Sequence, residues 1–176
     1  YIRNKGTYFL DGITYSTAGV YSPSFRIGSA SVYGHRGTTI FSIINTYNLL
    51  GILASKKIKY IIRNLINHTV AAEAGTFDSI PIITNLDVSN LISTIISKQR
   101  ENLMYDYNSH EQLEIDRLIY ESYGLNDDDI REVENWYERR YPKLVEAQKN
   151  NLRNLGKPDD YLEIYQRLRN GEDLIS

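Results

Sequence analysis

Between Gly6 and Phe41 the apolar residues come in short runs of Tyr, Ile, Val and Phe, broken by Gly12, Gly19, Gly28, Gly34 and Gly37. β-Branched and aromatic residues suit a pleated surface and glycines suit turns, so this pattern predicts strands. "YFLDGITYS" predicts two strands about Asp11-Gly12, a favoured hairpin turn, and "SASVYGHRGTTIFS" predicts a second pair about Gly34-His35-Arg36-Gly37. The period then changes. Leu49, Ile52, Leu53, Ile58, Ile61, Ile62, Leu65 and Ile66 recur at spacings that predict one amphipathic helix ending at Asn67 or His68. Lys56, Lys57, Lys59 and Arg63 take much of its remaining surface. "SIPII" predicts a short strand that Pro81 places at an edge or a strand start. Val88, Leu91, Ile92, Ile95, Ile96, Gln99 and Leu103 trace a further helix from a cap near Asp87.

Beyond Asn108 the pattern is helical and acidic. Ser109-His110-Glu111-Gln112 has the form of a capping box, Ile115, Leu118, Ile119 and Tyr123 supply an apolar stripe, and Gly124 is a natural stop. Asn126 is placed to cap the next helix, with Asp127, Asp128 and Asp129 where the positive end of its dipole favours them. Ile130, Val133, Tyr137 and Tyr141 continue its buried face to Pro142, and one more short helix is expected around Tyr161–Arg169. The fold class that follows is α+β: a mixed or antiparallel sheet with packed helices over residues 1–106, then a helical region over 107–176.

Composition narrows the chemistry. The 176 residues contain no cysteine, which excludes disulfides, thiolate catalysis and Cys-based zinc sites. No window approaches the roughly 18 consecutive apolar residues of a membrane span, so a cytoplasmic protein without a membrane partner is expected. The chain starts at Tyr1 and its first residues lack the regions of a signal peptide, so it is read as a fragment of a longer protein. The net charge of −2 hides a division: residues 1–80 hold eight Lys/Arg against three Asp/Glu, and residues 81–176 hold twelve against nineteen. A basic front half can serve an anionic partner.

Catalytic patterns are not found. His35, His68 and His110 stand too far apart for a local metal-ligand pair. There is no phosphate-binding loop, no dinucleotide turn and no strand-turn-helix elbow around a serine. The fragment itself is therefore expected to be non-catalytic. Arg26, His35, Arg36, Lys56, Lys57 and Arg63, with Tyr15, Tyr21 and Tyr33, combine cations and planar donors suited to duplex DNA. Arginine can read guanine with two hydrogen bonds, while Lys, Ser, Thr and Tyr more often hold phosphates. Each also has a plain structural reading, as a solvated cation, a polar turn or a core tyrosine.

The order of three segments carries a resemblance: "DGITYS…SPSFRI…VYGHRGTTIF", then "NLLGILASKKIKYIIRNLINHTVAAEAGTFDSIPI", then "LEIDRLIYESYGLNDDDIREVENWY". Together they resemble the C-terminal portion of large adenine-specific DNA methyltransferases, the type IIG restriction-modification enzymes and the related methylases of phage-defence (BREX-like) systems. Gly51-Ile52-Leu53-Ala54-Ser55-Lys56 matches the family's "Gly-Ile-Leu-Asn-Ser-Lys" helix with Ala54 in place of Asn. Asn67, Thr69 and Ile80-Pro81-Ile82 match the elements that follow, and Ile115 to Leu125 matches the support helix.

The resemblance implies a DNA target-recognition domain over 1–106 and a helical support or spacer region over 107–176. It implies duplex DNA and an upstream methyltransferase domain of the same protein as partners. The parent protein is expected to use S-adenosylmethionine, with or without an added endonuclease, while this fragment holds no cofactor. Its candidate DNA contacts are Tyr21, Ser22, Arg26, His35, Arg36, Lys56, Lys57, Arg63, His68 and Thr69. For His68 and Thr69 a structural role beside the helix end is preferred to a phosphate contact. The competing class for the whole chain is a non-catalytic protein-interaction or scaffold module.

Overall fold

Strand β1 (Gly12–Tyr15) is buried along its whole length because it is flanked on both sides, by β2 (Phe25–Gly28) and β3 (Thr39–Ile40), in the antiparallel order β2-β1-β3. This computed structural model describes residues 5–28, 30–33 and 38–176. Gly12 pairs with Gly28 and Ile13 with both Ile27 and Ile40. The fold is α+β, with a small antiparallel sheet followed by helices, as the pattern predicts.

The strand pairings are not the expected hairpins. Gly12 lies inside β1, where a Cβ would stand 2.5 Å from Thr39 Cγ2 and 2.8 Å from Ile40 O, so its role is close approach of β3 and not a turn. Upstream, Lys5–Thr7 is a 3-10 turn and Phe9 has φ 62°, which takes the chain out of strand geometry. Thr39–Ile40 pairs with β1 and not with Val32-Tyr33. Gly34 to Gly37, the loop of the second expected hairpin, lies outside the described residues.

The expected single helix over 49–66 is two. Helix α1 (Thr46–Ala54) and helix α2 (Lys56–Ile61) are separated by Ser55, which is extended at φ −65°, ψ 155°. Its hydroxyl donates to Ile52 O at 2.7 Å and accepts from Ile58 N at 3.3 Å, so one buried side chain ends α1 and caps α2. A π-helical turn, Ile62–Ile66, closes the segment with Asn67 N donating to Ile62 O at 2.7 Å. Asn67 then organises the turn, accepting from Thr69 N at 2.8 Å and donating to Ala71 O at 2.7 Å. The "SIPII" strand does not form. Ile80 is fixed by core burial and by a turn bond to Phe77 O, and the Pro81 carbonyl accepts the Tyr123 hydroxyl. Side-chain anchoring replaces a ladder there.

Helix α3 (Ser89–Glu101) begins beside Asp87, whose carboxylate accepts from Ser89 N at 2.9 Å. It stops short of Leu103, which is 86 % exposed. Asn48 on α1 ties down the approach to α3, donating to Leu86 O at 2.6 Å and accepting from Val88 N at 2.9 Å. The capping box expected at Ser109 is absent: the N-cap of α4 (Glu111–Ser122) is His110, no side chain caps it, and the Ser109 hydroxyl is buried without a partner. Gly124 ends α4 as expected, at φ 67° with Leu125 N donating back to Tyr120 O.

Asn126 and Asp129 form a complete capping box for α5 (Asp127–Arg140). Helix α6 (Pro142–Asn154) is not anticipated by the pattern, because a glutamine, Gln148, sits on its buried face between Val145 and Leu152. Helix α7 (Tyr161–Arg169) closes the chain.

Two apolar cores result. One joins the sheet with α1, α2 and α3 and takes Ile115 and Ile119 from α4; the other joins α5, α6 and α7 and takes Leu113 and Tyr120 from α4. Helix α4 therefore packs into both. Among the described residues no helix is long and apolar enough to cross a membrane.

Candidate functional site

The open edge of the sheet meets the helices in a cleft of about 710 Å³. Strand β2 forms one wall with Phe25, Arg26, Ile27 and Gly28, and α1 and α3 form the floor with Leu50, Ala54, Ile92 and Ile95. The far end is closed by Tyr107, Asn108 and Gln112, where a 3-10 turn leads into α4. Polar groups converge on it: the amides of Gln99, Asn108 and Gln112 and the cations of Arg26, Lys59 and Arg100, with Asp11 as an acidic group among them. A second hollow of about 440 Å³ shares Phe25, Ala54, Lys59 and Tyr107 with it and extends to Tyr21, Tyr137 and Tyr141.

The cations of this cleft differ from those of the helical half. Among the described residues, no carboxylate lies within 4.0 Å of Arg26, Lys59 or Arg100. Several other cations are ion-paired: Lys98 with Glu111, Arg117 with Glu114 and Glu121, Arg167 with Glu172 and Arg169 with Glu121. Burial pulls the Lys59 ammonium below its ordinary range, with Asp116 opposing this and Lys56 adding to it. Burial, helped by Asp106, pushes the Tyr107 hydroxyl up, so it stays a neutral donor. The apolar floor, neutral hydroxyl, amides and three cations against one lining carboxylate make a cleft suited to an anionic ligand with a flat or apolar body.

Of the candidates from the sequence, Arg26 is the one that lies at this cleft: it is exposed, on the edge strand, with its side chain opposite β1 residue Thr14 in register. Lys56 is a correction. Its ammonium is buried against Glu134 at 2.8 Å and over the Tyr161 ring at 4.0 Å, so it offers nothing to a phosphate. Burial alone would lower its proton affinity, and Glu134 with Tyr161 and Asp116 more than reverses that. Lys57 is half-buried, packs over the Tyr123 ring at 5.2 Å, and is lowered by burial with Asp129 opposing.

Tyr21, Ser22, Arg63, His68 and Thr69 gather at a second place, where residues 17–22 meet 67–72 through the Ala18–Ala71 bridge. The Arg63 guanidinium is taken up by the carbonyls of Gly19, Tyr21 and Thr69. Ser22 is buried, giving its hydroxyl to Lys59 O at 3.1 Å and its N–H to the Tyr141 hydroxyl at 3.1 Å. Tyr21 stacks on Tyr141 with ring centroids 5.1 Å apart. His68 Nδ1 lies 3.0 Å from Arg63 O, and Thr69 is held by Asn67, so the structural role describes both. His35 and Arg36 lie outside the described residues.

Lys59, Gln99, Arg100, Asn108 and Gln112 were not singled out from the sequence as site residues. A usable signal was present at Gln99, a polar residue continuing the otherwise apolar stripe of α3. The chain matches no protein-family model and no curated protein sequence.

Proposed function

We propose that this chain binds duplex DNA and supplies sequence specificity to an adenine-specific DNA methyltransferase of a restriction-modification or phage-defence system. The observation that carries this reading is the exposed Arg26 on an open strand edge, without a carboxylate partner among the described residues, beside Arg100 and the amides of Gln99 and Asn108. Arginine and amide groups at one surface match the donors that read base edges and hold phosphates. The basic front half and the resemblance of the ordered segments point the same way. His35 and Arg36 belong to the reading surface in this proposal; Lys56 and Lys57 do not.

Methyl transfer is assigned to the upstream domain of the parent protein. The exposed Val20, Tyr21 and Val70, brought together around Arg63, favour a protein contact at the second place, and the upstream domain is the partner this reading assigns to it. The alternative of a pure interaction module rests on the same patch. Fluorescence anisotropy with random-sequence duplexes across a salt series tests the choice. Salt-dependent binding that steepens with the number of phosphate contacts is expected. A folded chain that binds no duplex at low salt contradicts the DNA reading and favours the interaction module.

A further inference from the structure

Gln112 is 8 % exposed, lines the cleft from the first turn of α4, and its side-chain N–H group has no hydrogen-bond partner. Buried amide donors are normally satisfied, by protein, water or ligand. The same turn has no side-chain cap. Glu111, its one acidic neighbour in that turn besides Glu114, is already engaged by Lys98 at 2.9 Å and by the Tyr105 hydroxyl at 2.9 Å.

From this geometry we propose that the cleft between β2, α1, α3 and the start of α4 binds a nucleoside monophosphate. Its volume of about 710 Å³ lies in the range of sites that enclose small organic ligands. Phe25, Tyr47 and Tyr107 line the cleft with Leu50 and Ile92, aromatic and apolar surroundings that match a flat ring. The side-chain amides of Gln99, Asn108 and Gln112 offer both donors and acceptors, which a base edge matches and a simple aromatic carboxylate would leave unpaired. Arg26, Lys59 and Arg100 supply charge for the phosphate, and Lys59, whose ammonium is disfavoured by burial, regains its proton affinity beside an anion. The inference does not depend on duplex recognition: a single nucleotide can occupy the cleft whether or not the chain binds a duplex.

The test is calorimetric titration of the full chain with AMP, GMP, CMP and UMP, with the unphosphorylated nucleosides and inorganic phosphate titrated separately. Saturable binding of at least one monophosphate is expected, with its nucleoside and inorganic phosphate each about tenfold weaker or more. Arg100→Ala, at an exposed position, and Gln112→Met should each weaken that binding about tenfold, while Arg131→Ala on the far helical surface should not. Failure of all four monophosphates to bind folded wild-type chain overturns the proposal. So does inorganic phosphate binding as tightly as the nucleotide, or wild-type affinity in folded Arg100→Ala. Nucleotide binding by a chain that ignores duplex DNA upholds this inference and removes only the DNA reading.

Discussion

The Lys56 ammonium lies 2.8 Å from one carboxylate oxygen of Glu134 and 3.1 Å from the other, with both side chains almost sealed from solvent. Tyr120 and Tyr165 also donate to that carboxylate, at 2.8 and 2.6 Å. The pair links α2 in the front half to α4, α5 and α7 behind it, so a lysine expected to serve a ligand instead joins the two cores. Removing one partner strands a buried charge. Lys56→Met should cost about 3–5 kcal/mol of stability, and Lys56→Met with Glu134→Leu clearly less than the sum of the two single changes. Urea denaturation measures both; additive costs would show that the two charges do not depend on each other.

Asp116 gives the fold a pH dependence. One of its oxygens accepts Lys56 N at 2.9 Å and the other is buried without a partner. Burial pushes its carboxyl up to about 6, with Lys56 and Lys59 pulling down and Glu134 pushing up. The unfolded group titrates near 4, so between about pH 4 and about pH 6 the folded chain holds the extra proton. Its contribution is therefore most favourable at the acid end of that window and is lost as pH rises through it, by up to about 3 kcal/mol. Asp116→Asn keeps an acceptor for Lys56 N, removes the titration, and should raise the urea midpoint at neutral pH. A variant as pH-dependent as wild type across this window would place the titration elsewhere.

Ser55 is a short-range determinant with a long reach. Its hydroxyl serves both α1 and α2 from a fully buried position. Ser55→Ala should destabilise the chain by about 1–2 kcal/mol through the lost cap. The helix content by circular dichroism should stay unchanged, because core contacts on both sides hold the break.

Arg63 should behave as a staple. Arg63→Met frees the carbonyls of Gly19, Tyr21 and Thr69, so amide exchange should accelerate over residues 17–22 and 67–72 while α4 to α7 keep wild-type protection. Uniform acceleration across the chain would show that the loss is global.

What was legible in the sequence follows from how local its cause is. The Gly124 stop, the Asn126 cap and the Tyr161–Arg169 helix depend on residues within a turn of each other, and each stands where the pattern puts it. The strand pairings depend on which segment reaches β1 across tens of residues, and Asp11-Gly12 looks the same locally whether it turns or approaches β3 closely. The lysines of α2 show the limit for the site. Lys56, Lys57 and Lys59 are adjacent in sequence, but one is sealed against Glu134, one covers Tyr123 and one enters the cleft, because α5, α4 and β2 approach different faces of one short helix. The exposure of Arg26 was readable because a cation on a short edge strand needs no distant partner to stay exposed.

The central claim concerns Arg26 and Arg100 as contacts for duplex DNA, and the most direct test is the affinity of the Arg26→Glu/Arg100→Glu variant for a random-sequence duplex across a salt series. The account predicts at least a tenfold (~1.4 kcal/mol) loss at low salt and a salt slope shallower by about two, one per lost phosphate contact, with Arg131→Glu binding as wild type. Wild-type affinity and slope in the folded double variant would contradict it.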